Sequence, residues 1–258
     1  NYGYSQLAHN YANQGKMSNA INAMQNGMVL GNEDMWMKTM ILWYKKSLNM
    51  DTSIEIINDL NNMLAVSDDF DDSLHIYYQL TWAYSLFGQN KAAMDYGNII
   101  KSFNENKYGL YRTIFTFVDN YVELYIQAGL KETYKQHLTY IEDNAVSPDE
   151  NIIPYFYSKY YLYTENFDML AATVDDVEEG YGNYWVKCYI YEIGYLRGRL
   201  LENEGKLEEA LKIYTESLEY DPKHYELREA IGRTQRLLGN HIQSIKTFED
   251  LLKNYPIS

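Results

Sequence analysis

One fixed interval governs the end of this chain. It separates Gly205 from Gly239, and it separates Pro222 from Pro256 in step with them. Between each Gly and its Pro the residue types recur in one order. A small residue comes first (Ala210, Ser244), then an aromatic (Tyr214, Phe248), then Leu (Leu218, Leu252). Tyr220-Asp221-Pro222 closes one unit and Asn254-Tyr255-Pro256 the other. Tyr195, Leu200 and Leu201 share one face of a helix ending near Gly205, a residue free to take a left-handed cap. Leu207, Ala210, Leu211, Tyr214 and Leu218 recur at three- and four-residue spacing and form the stripe of a second helix. The small side chain at Ala210 or Ser244 lets two helix axes approach, and a Pro without an N–H stops the second helix. Such a pair leaves apolar surface uncovered, so it must stack on a neighbour.

A fixed period of about 34 residues, with a Gly turn between two amphipathic helices and Pro after the second, resembles the tetratricopeptide repeat. The pattern returns upstream. Tyr4, Leu7, Ala8 and Tyr11 precede Gly15, with Ala20, Ile21 and Met24 after it. Tyr77, Leu80 and Tyr84 precede Gly88, with Ala93 after it. Tyr121 and Tyr125 precede Gly129, with Tyr134 where a small residue is expected. Two units lack the Gly, one through Met40, Tyr44, Leu48, Ser53, Ile57 and Leu60, the other through Tyr157, Tyr161, Glu165, Leu170, Val174 and Val177. Tyr11, Tyr44, Tyr84, Tyr125, Tyr161, Leu201 and Gln235 stand four residues before successive turns. Tyr134 and Leu170 depart from the small-residue column and are expected to splay their helix pairs. The resemblance implies an all-α, right-handed superhelical solenoid of about seven helix-turn-helix repeats over 1–258. The repeats run roughly 1–33, 34–73, 74–113, 114–149, 150–187, 191–224 and 225–258.

Composition agrees. A chain of 258 residues with 46% apolar content can bury a large core, and a solenoid grows lengthwise without a single-core limit. Its 28 Tyr suit seams where the ring is buried and the hydroxyl reaches a polar partner. A net charge of −14 repels a nucleic-acid backbone, so no nucleic-acid partner is expected. The single cysteine, Cys188, rules out an internal disulfide framework and, beside Trp185 and Tyr189, reads as a small buried hydrophobe. No apolar run approaches the roughly 20 residues of a membrane span. The chain opens at Asn1 rather than Met, which fits a processed protein or an excised piece; a cytoplasmic location is the expectation.

Motifs that carry chemistry are missing from the sequence. His9, His75, His137, His224 and His241 form no pair at ligand spacing, and there is no nucleophile elbow or phosphate loop. The acidic stretches Ser67–Ser73 and Asp175–Gly180 are expected in loops between units, the first beginning a helix. Neither has the ligand order of an EF-hand. Ser147-Pro148-Asp149-Glu150 reads as a capping box, and Pro154 implies a helix that starts late or kinks. Gly180-Tyr181-Gly182 reads as a connector. No cofactor, no metal and no catalytic residue is expected, and the chain is not read as an enzyme.

The resemblance places function on the first helix of each pair, which in this family lines a concave groove for a peptide or a partner helix. The inward positions would be Gln6, His9 and Asn13, then Tyr78, Gln79 and Trp82, then Asp119, Asn120 and Glu123. Tyr155, Phe156 and Lys159 follow, then Tyr195 and Arg199, then Arg233 and Arg236. Rings mixed with amides and isolated charges suit peptide capture. For Trp82 and Tyr155 the competing reading is a seam between helices. The family's carboxylate clamp for chaperone tails is not matched, because Ser5 and His9 stand at its places in the first unit. The expected role is a scaffold or adaptor for a protein or peptide. The alternative is a peptide-sensing or substrate-recruiting portion of a larger regulator or glycosyltransferase. Ile242, Ile245, Phe248, Leu251 and Leu252 make a stripe too wide for one helix to cover, so the C-terminal edge is expected to meet a second copy or further sequence.

Overall fold

The computed structural model describes residues 2–12, 14, 16–29, 35–49, 53–146, 149–181, 186–222 and 224–254. Asn13, Gly15, Ser147, Pro148, Gly182, Trp185, Tyr255 and Pro256 lie outside them, as do the side chains of Leu48, Ser53, Asp149, Cys188, Tyr189 and Leu252. The fold is all-α, with no strand among the described residues. Its helices pack as two compact units, residues 1–109 with 253–258, and residues 110–252.

The first unit holds α1 (Tyr2–Ala12), α2 (Met17–Val29), α3 (Met35–Asn49), α4 (Ser53–Ala65), α5 (Phe70–Leu86) and α6 (Asn90–Tyr108). Ala8, Ala20, Met24, Met37 and Tyr44 fill the space among α1, α2 and α3. Trp43, Ile57, Leu60, Ile76 and Leu80 do the same for α3, α4 and α5. The acidic stretch before α5 is a cap: Asp69 Oδ1 accepts from the Asp71 and Asp72 amides at 2.8 and 3.1 Å. Two of the four amides that a helix start leaves open are thereby satisfied.

The second unit holds α7 (Leu110–Asn120), α8 (Val122–Gln127), α9 (Lys131–Asn144), α10 (Ile153–Tyr163) and α11 (Phe167–Tyr181). It continues through α12 (Val186–Asn203), α13 (Leu207–Leu218), α14 (Tyr225–Leu237) and α15 (His241–Asn254). A 3-10 turn, Asp149–Ile152, leads into α10 with Pro154 at the helix start, so this helix starts late. The second helices α11 and α13 each lie against their own first helix and the next one, α11 against α10 and α12, and α13 against α12 and α14. The first helices α10, α12 and α14 are neighbours in turn. Leu170, Val174, Leu196, Ala210, Tyr214, Leu227 and Ala230 form the core between the two rows.

Tyr134, at the place of a small residue, is fully buried, and its hydroxyl donates to the Val118 carbonyl at 2.9 Å. The first helix breaks at Tyr121, between α7 and α8, three residues after that carbonyl. The stretch Asp175–Gly180 is not a loop. It lies within α11, where Asp175 and Glu178 both pair with Arg197 of α12.

The turns between paired helices share one geometry. The amides of Gln89, Leu130, Asn166, Lys206 and Asn240 donate to the carbonyls of Tyr84, Tyr125, Tyr161, Leu201 and Gln235 at 2.8–2.9 Å. The residue before each amide also donates three residues back, as Gly205 does to Glu202 at 3.0 Å. That two-bond closure needs a left-handed residue. Gly88, Gly129, Gly205 and Gly239 supply it with φ of 70, 77, 76 and 80°, and Glu165 adopts it at 56° despite its Cβ. A side chain there costs about 1–2 kcal/mol. Glu165→Gly is therefore expected to stabilise the chain by about 1 kcal/mol, net of the extra entropy of the unfolded glycine. A urea midpoint that falls would contradict this.

At the last pair, Phe248 lies against Gly232, with Cζ 2.9 Å from where a Cβ would sit, and Leu251 is buried. Ile242 and Ile245 are 81% and 59% exposed.

Candidate functional site

In the second unit the first helices place a polar and aromatic lane on one another. Glu192, Tyr195, Arg199 and Glu202 come from α12, and Glu226, Glu229 and Arg233 from α14. Glu192 and Glu226 are one repeat step apart, as are Arg199 and Arg233, so the lane recurs with the helix pairs. At one end sits His224, the cap of α14, whose Nδ1 accepts from the Leu227 amide at 3.3 Å. This bond assigns the proton of the neutral ring to Nε2. Nε2 lies 3.7 Å from Glu192 Oε1 and 4.0 Å from Glu226 Oε2. The Tyr191 ring packs on the imidazole at 4.5 Å, and the Tyr163 hydroxyl donates to Glu226 Oε1 at 3.3 Å.

At the other end Glu202 ties two repeats together. It pairs with Arg199 Nε at 3.3 Å, accepts from Arg233 Nη2 at 3.0 Å and accepts from the Thr234 hydroxyl. Glu229 holds the other arm of Arg233. Burial lowers the affinity of Arg233 for its proton, but Glu202 and Glu229 more than offset this and raise its pKa.

Burial and charge set the titrations around His224. Burial opposes the charged Glu192, yet the His224 imidazole and the Lys159 ammonium hold its pKa below the ordinary range. Burial opposes the imidazolium too, and Glu192, with Glu226 and Asp221, raises the His224 pKa in spite of it. Glu226 is pushed up by burial and by the Glu192 charge. Asp119 is pushed up by burial, which outweighs Lys159.

Stability follows by linkage. The raised His224 contributes stability that is full below its unfolded pKa of 6.5 and lost as pH rises through the folded value. The lowered Glu192 contributes above 4.5 and loses its share as pH falls through its folded value. The raised Glu226 acts in the same sense as His224. As pH rises from about 6 to 9, the wild-type chain is expected to lose more stability than His224→Asn, which keeps a cap acceptor but does not titrate. Parallel urea midpoints for the two across that range would refute the assignment.

The residues expected to line a groove fall into three groups. Gln6, Asn120, Glu123 and Arg236 are exposed. His9, Tyr78, Gln79, Trp82, Asp119, Lys159, Arg199 and Arg233 are half-buried. Three of these join helices of the first unit: Trp82 lies 4.9 Å from the Trp43 ring, Gln79 accepts from Trp43 Nε1 at 2.7 Å, and Tyr78 accepts from Asn104 at 3.0 Å. His9 lies 5.6 Å from Trp36, with Nδ1 3.4 Å from the Tyr44 hydroxyl. Tyr155, Phe156 and Tyr195 are buried. Phe156 is fully enclosed and edge-on to Phe115 at 5.1 Å, so it is a core residue and not a surface one. Tyr155 carries Lys159 over its ring at 4.8 Å, and the Tyr195 hydroxyl accepts from Arg199 at 3.3 Å. Asn13 lies outside the described residues.

Sequence reasoning missed Glu192, Glu202, His224 and Glu226. It also missed Gly194 and Gly198, where α12 comes closest to α13. A Cβ at Gly198 would stand 2.1 Å from Tyr214 Cε1, and one at Gly194 would stand 2.6 Å from Ser217 Cβ. The signal was the repeat step itself, since Gly198 and Gly232 are one step apart, as are Tyr214 and Phe248.

The family model described as tetratricopeptide repeat matches residues 191–224. This segment is a tetratricopeptide repeat. The match opens at Tyr191 and closes at His224, the two rings that pack together at 4.5 Å, so the repeat ends where it meets its own start. No curated protein matches the chain. The tetratricopeptide repeat points to a protein-interaction scaffold, and the fold is typically non-catalytic. No described helix is long and apolar enough to cross a membrane.

Proposed function

We propose that the chain is an interaction scaffold that holds an extended polypeptide along the first-helix face of the second unit. The observation that carries this reading is the lane itself. Charged side chains recur on α12 and α14 at the step of the repeat, flanked by the rings of Tyr155, Tyr163 and Tyr195. A polypeptide laid across such a face meets similar chemistry at each helix. Its amides can bond exposed groups such as Asn120 and Glu123. Arg236, exposed at the end of α14, extends the lane without any rearrangement.

The test is photo-crosslinking in the source cell with a reactive residue placed at Asn120 or Arg236. Recovery of a defined polypeptide, reduced tenfold or more by Glu123→Lys with Arg236→Glu, is expected. Unchanged recovery in that double variant, at wild-type helicity, would remove the lane from the interaction. The exposed residues are chosen because their substitution disturbs no packing.

A further inference from the structure

The sequence carries no metal pattern, because the residues that matter are brought together by the stacking of two helix pairs. One donor atom each from Glu192, His224 and Glu226 lies within 4.8 Å of the others. We propose that these three side chains form a binding site for a divalent transition-metal ion of the zinc type. The inference does not draw on the partner reading above.

Spacing favours a metal over an organic cation. Zinc–nitrogen and zinc–oxygen bonds of about 2.0–2.2 Å put neighbouring donors of a tetrahedral site about 3.3 Å apart. Nε2 of His224 is 3.7 Å from Glu192 and 4.0 Å from Glu226, so small side-chain rotations close the set. An ammonium or guanidinium hydrogen-bonded to all three groups would need them farther apart. One imidazole with two carboxylates suits zinc and its neighbours better than calcium or magnesium, which favour oxygen alone.

The surroundings are those of a supported ligand set. Tyr163 occupies Glu226 Oε1 and leaves Oε2 facing Nε2, and the Tyr191 ring fixes the plane of the imidazole. Charge points the same way. Asp119, Glu192 and Glu226 all feel the Lys159 ammonium, and Glu192 in turn disfavours the charge of the other two. Three partly buried carboxylates thus share one lysine, two of them also facing the imidazole, and a dication would relieve their repulsion.

Loading has a definite proton balance. For the metal to bond there, the Nε2 proton of the neutral ring exchanges through solvent to Nδ1 with no net release, and a doubly protonated ring gives up one proton to solvent. If the ring then carries its proton on Nδ1, that nitrogen turns from acceptor to donor and releases the Leu227 amide, whose bond at 3.3 Å is long. Uptake should therefore weaken as pH falls and the imidazole becomes doubly protonated.

The test uses the chelator-treated full chain with Zn(II) in calorimetric titration and Co(II) in visible absorption. The expected result is one Zn(II) per chain, tenfold or more weaker in Glu192→Gln and in His224→Asn at unchanged helicity. Co(II) should give d–d bands that His224→Asn abolishes. Lys159→Met, which removes the competing cation, should tighten Zn(II). Equal Zn(II) uptake by the wild type and the Glu192→Gln/His224→Asn double variant would overturn the proposal, as would no measurable uptake by the wild type.

Discussion

Gly198→Ala is expected to destabilise the chain by about 3 kcal/mol. The added methyl would lie 2.1 Å from Cε1 and 2.5 Å from Cζ of Tyr214, a ring with no exposed surface. An enclosed ring cannot swing aside, so α12 and α13 must separate along their whole contact. Alanine's better helix propensity, about 1 kcal/mol, offsets only part of this. Gly232→Ala is the internal control. Its methyl would meet Phe248 at 2.9–3.1 Å, and that half-buried ring can yield, so a change within about 1 kcal/mol is expected. If the overlap is the cause, Tyr214→Leu and Gly198→Ala together should cost less than the sum of the two alone. Urea unfolding of the four variants decides it, and equal effects at Gly198 and Gly232 would show that the close approach is not limiting.

Glu202→Ala is expected to cost about 2 kcal/mol, because it strands a partly buried charge. The Glu202 carboxylate is 10% exposed and serves Arg199, Arg233 and Thr234 at once. Removing one partner of a fully buried pair costs about 3–5 kcal/mol. That figure is reduced here because Arg233 keeps Glu229 and both arginine side chains are 21–26% exposed. Glu202→Gln keeps an acceptor for Thr234 and Arg233 and should cost about half as much. Both costs should change little between low and moderate salt, since the pairs are largely out of solvent. A loss below about 0.5 kcal/mol for the alanine would mean that the joint between α12 and α14 rests on apolar contacts alone.

The helices and their turns could be read from the sequence because they rest on local rules. Gly88, Gly129, Gly205 and Gly239 sit at left-handed positions that favour glycine, and the apolar stripe of α13 has a helical period. Even Glu165, a turn without glycine, is placed by the Tyr column before it, whose carbonyl at Tyr161 accepts the closing bond. The lane was harder to read. Register gives the face of a helix, but it does not say how deep a side chain lies. Phe156 and Lys159 are both on α10, yet one is enclosed and the other half-buried. His224 offered no signal as a histidine, because its partners come from α12 and from its own helix rather than from a second histidine. The break at Tyr121 was equally hidden, since no Gly or Pro marks it in the sequence.

A hinge pin built of main-chain atoms is indifferent to what hangs from it. The bond from Lys206 to Leu201 that closes the recognisable repeat is made again from Gln89 to Tyr84, from Leu130 to Tyr125 and from Asn166 to Tyr161, all at 2.8–2.9 Å. Those carbonyls belong to every amino acid and those amides to every one but proline, so letters around a turn can change, the left-handed position apart, and leave the hairpin tied. What erodes under such drift is the spelling by which a unit is known, and it is residues 191–224 that the family model matches. Architecture in this chain is therefore common to turns whose side chains differ, because no side chain takes part in the fastening.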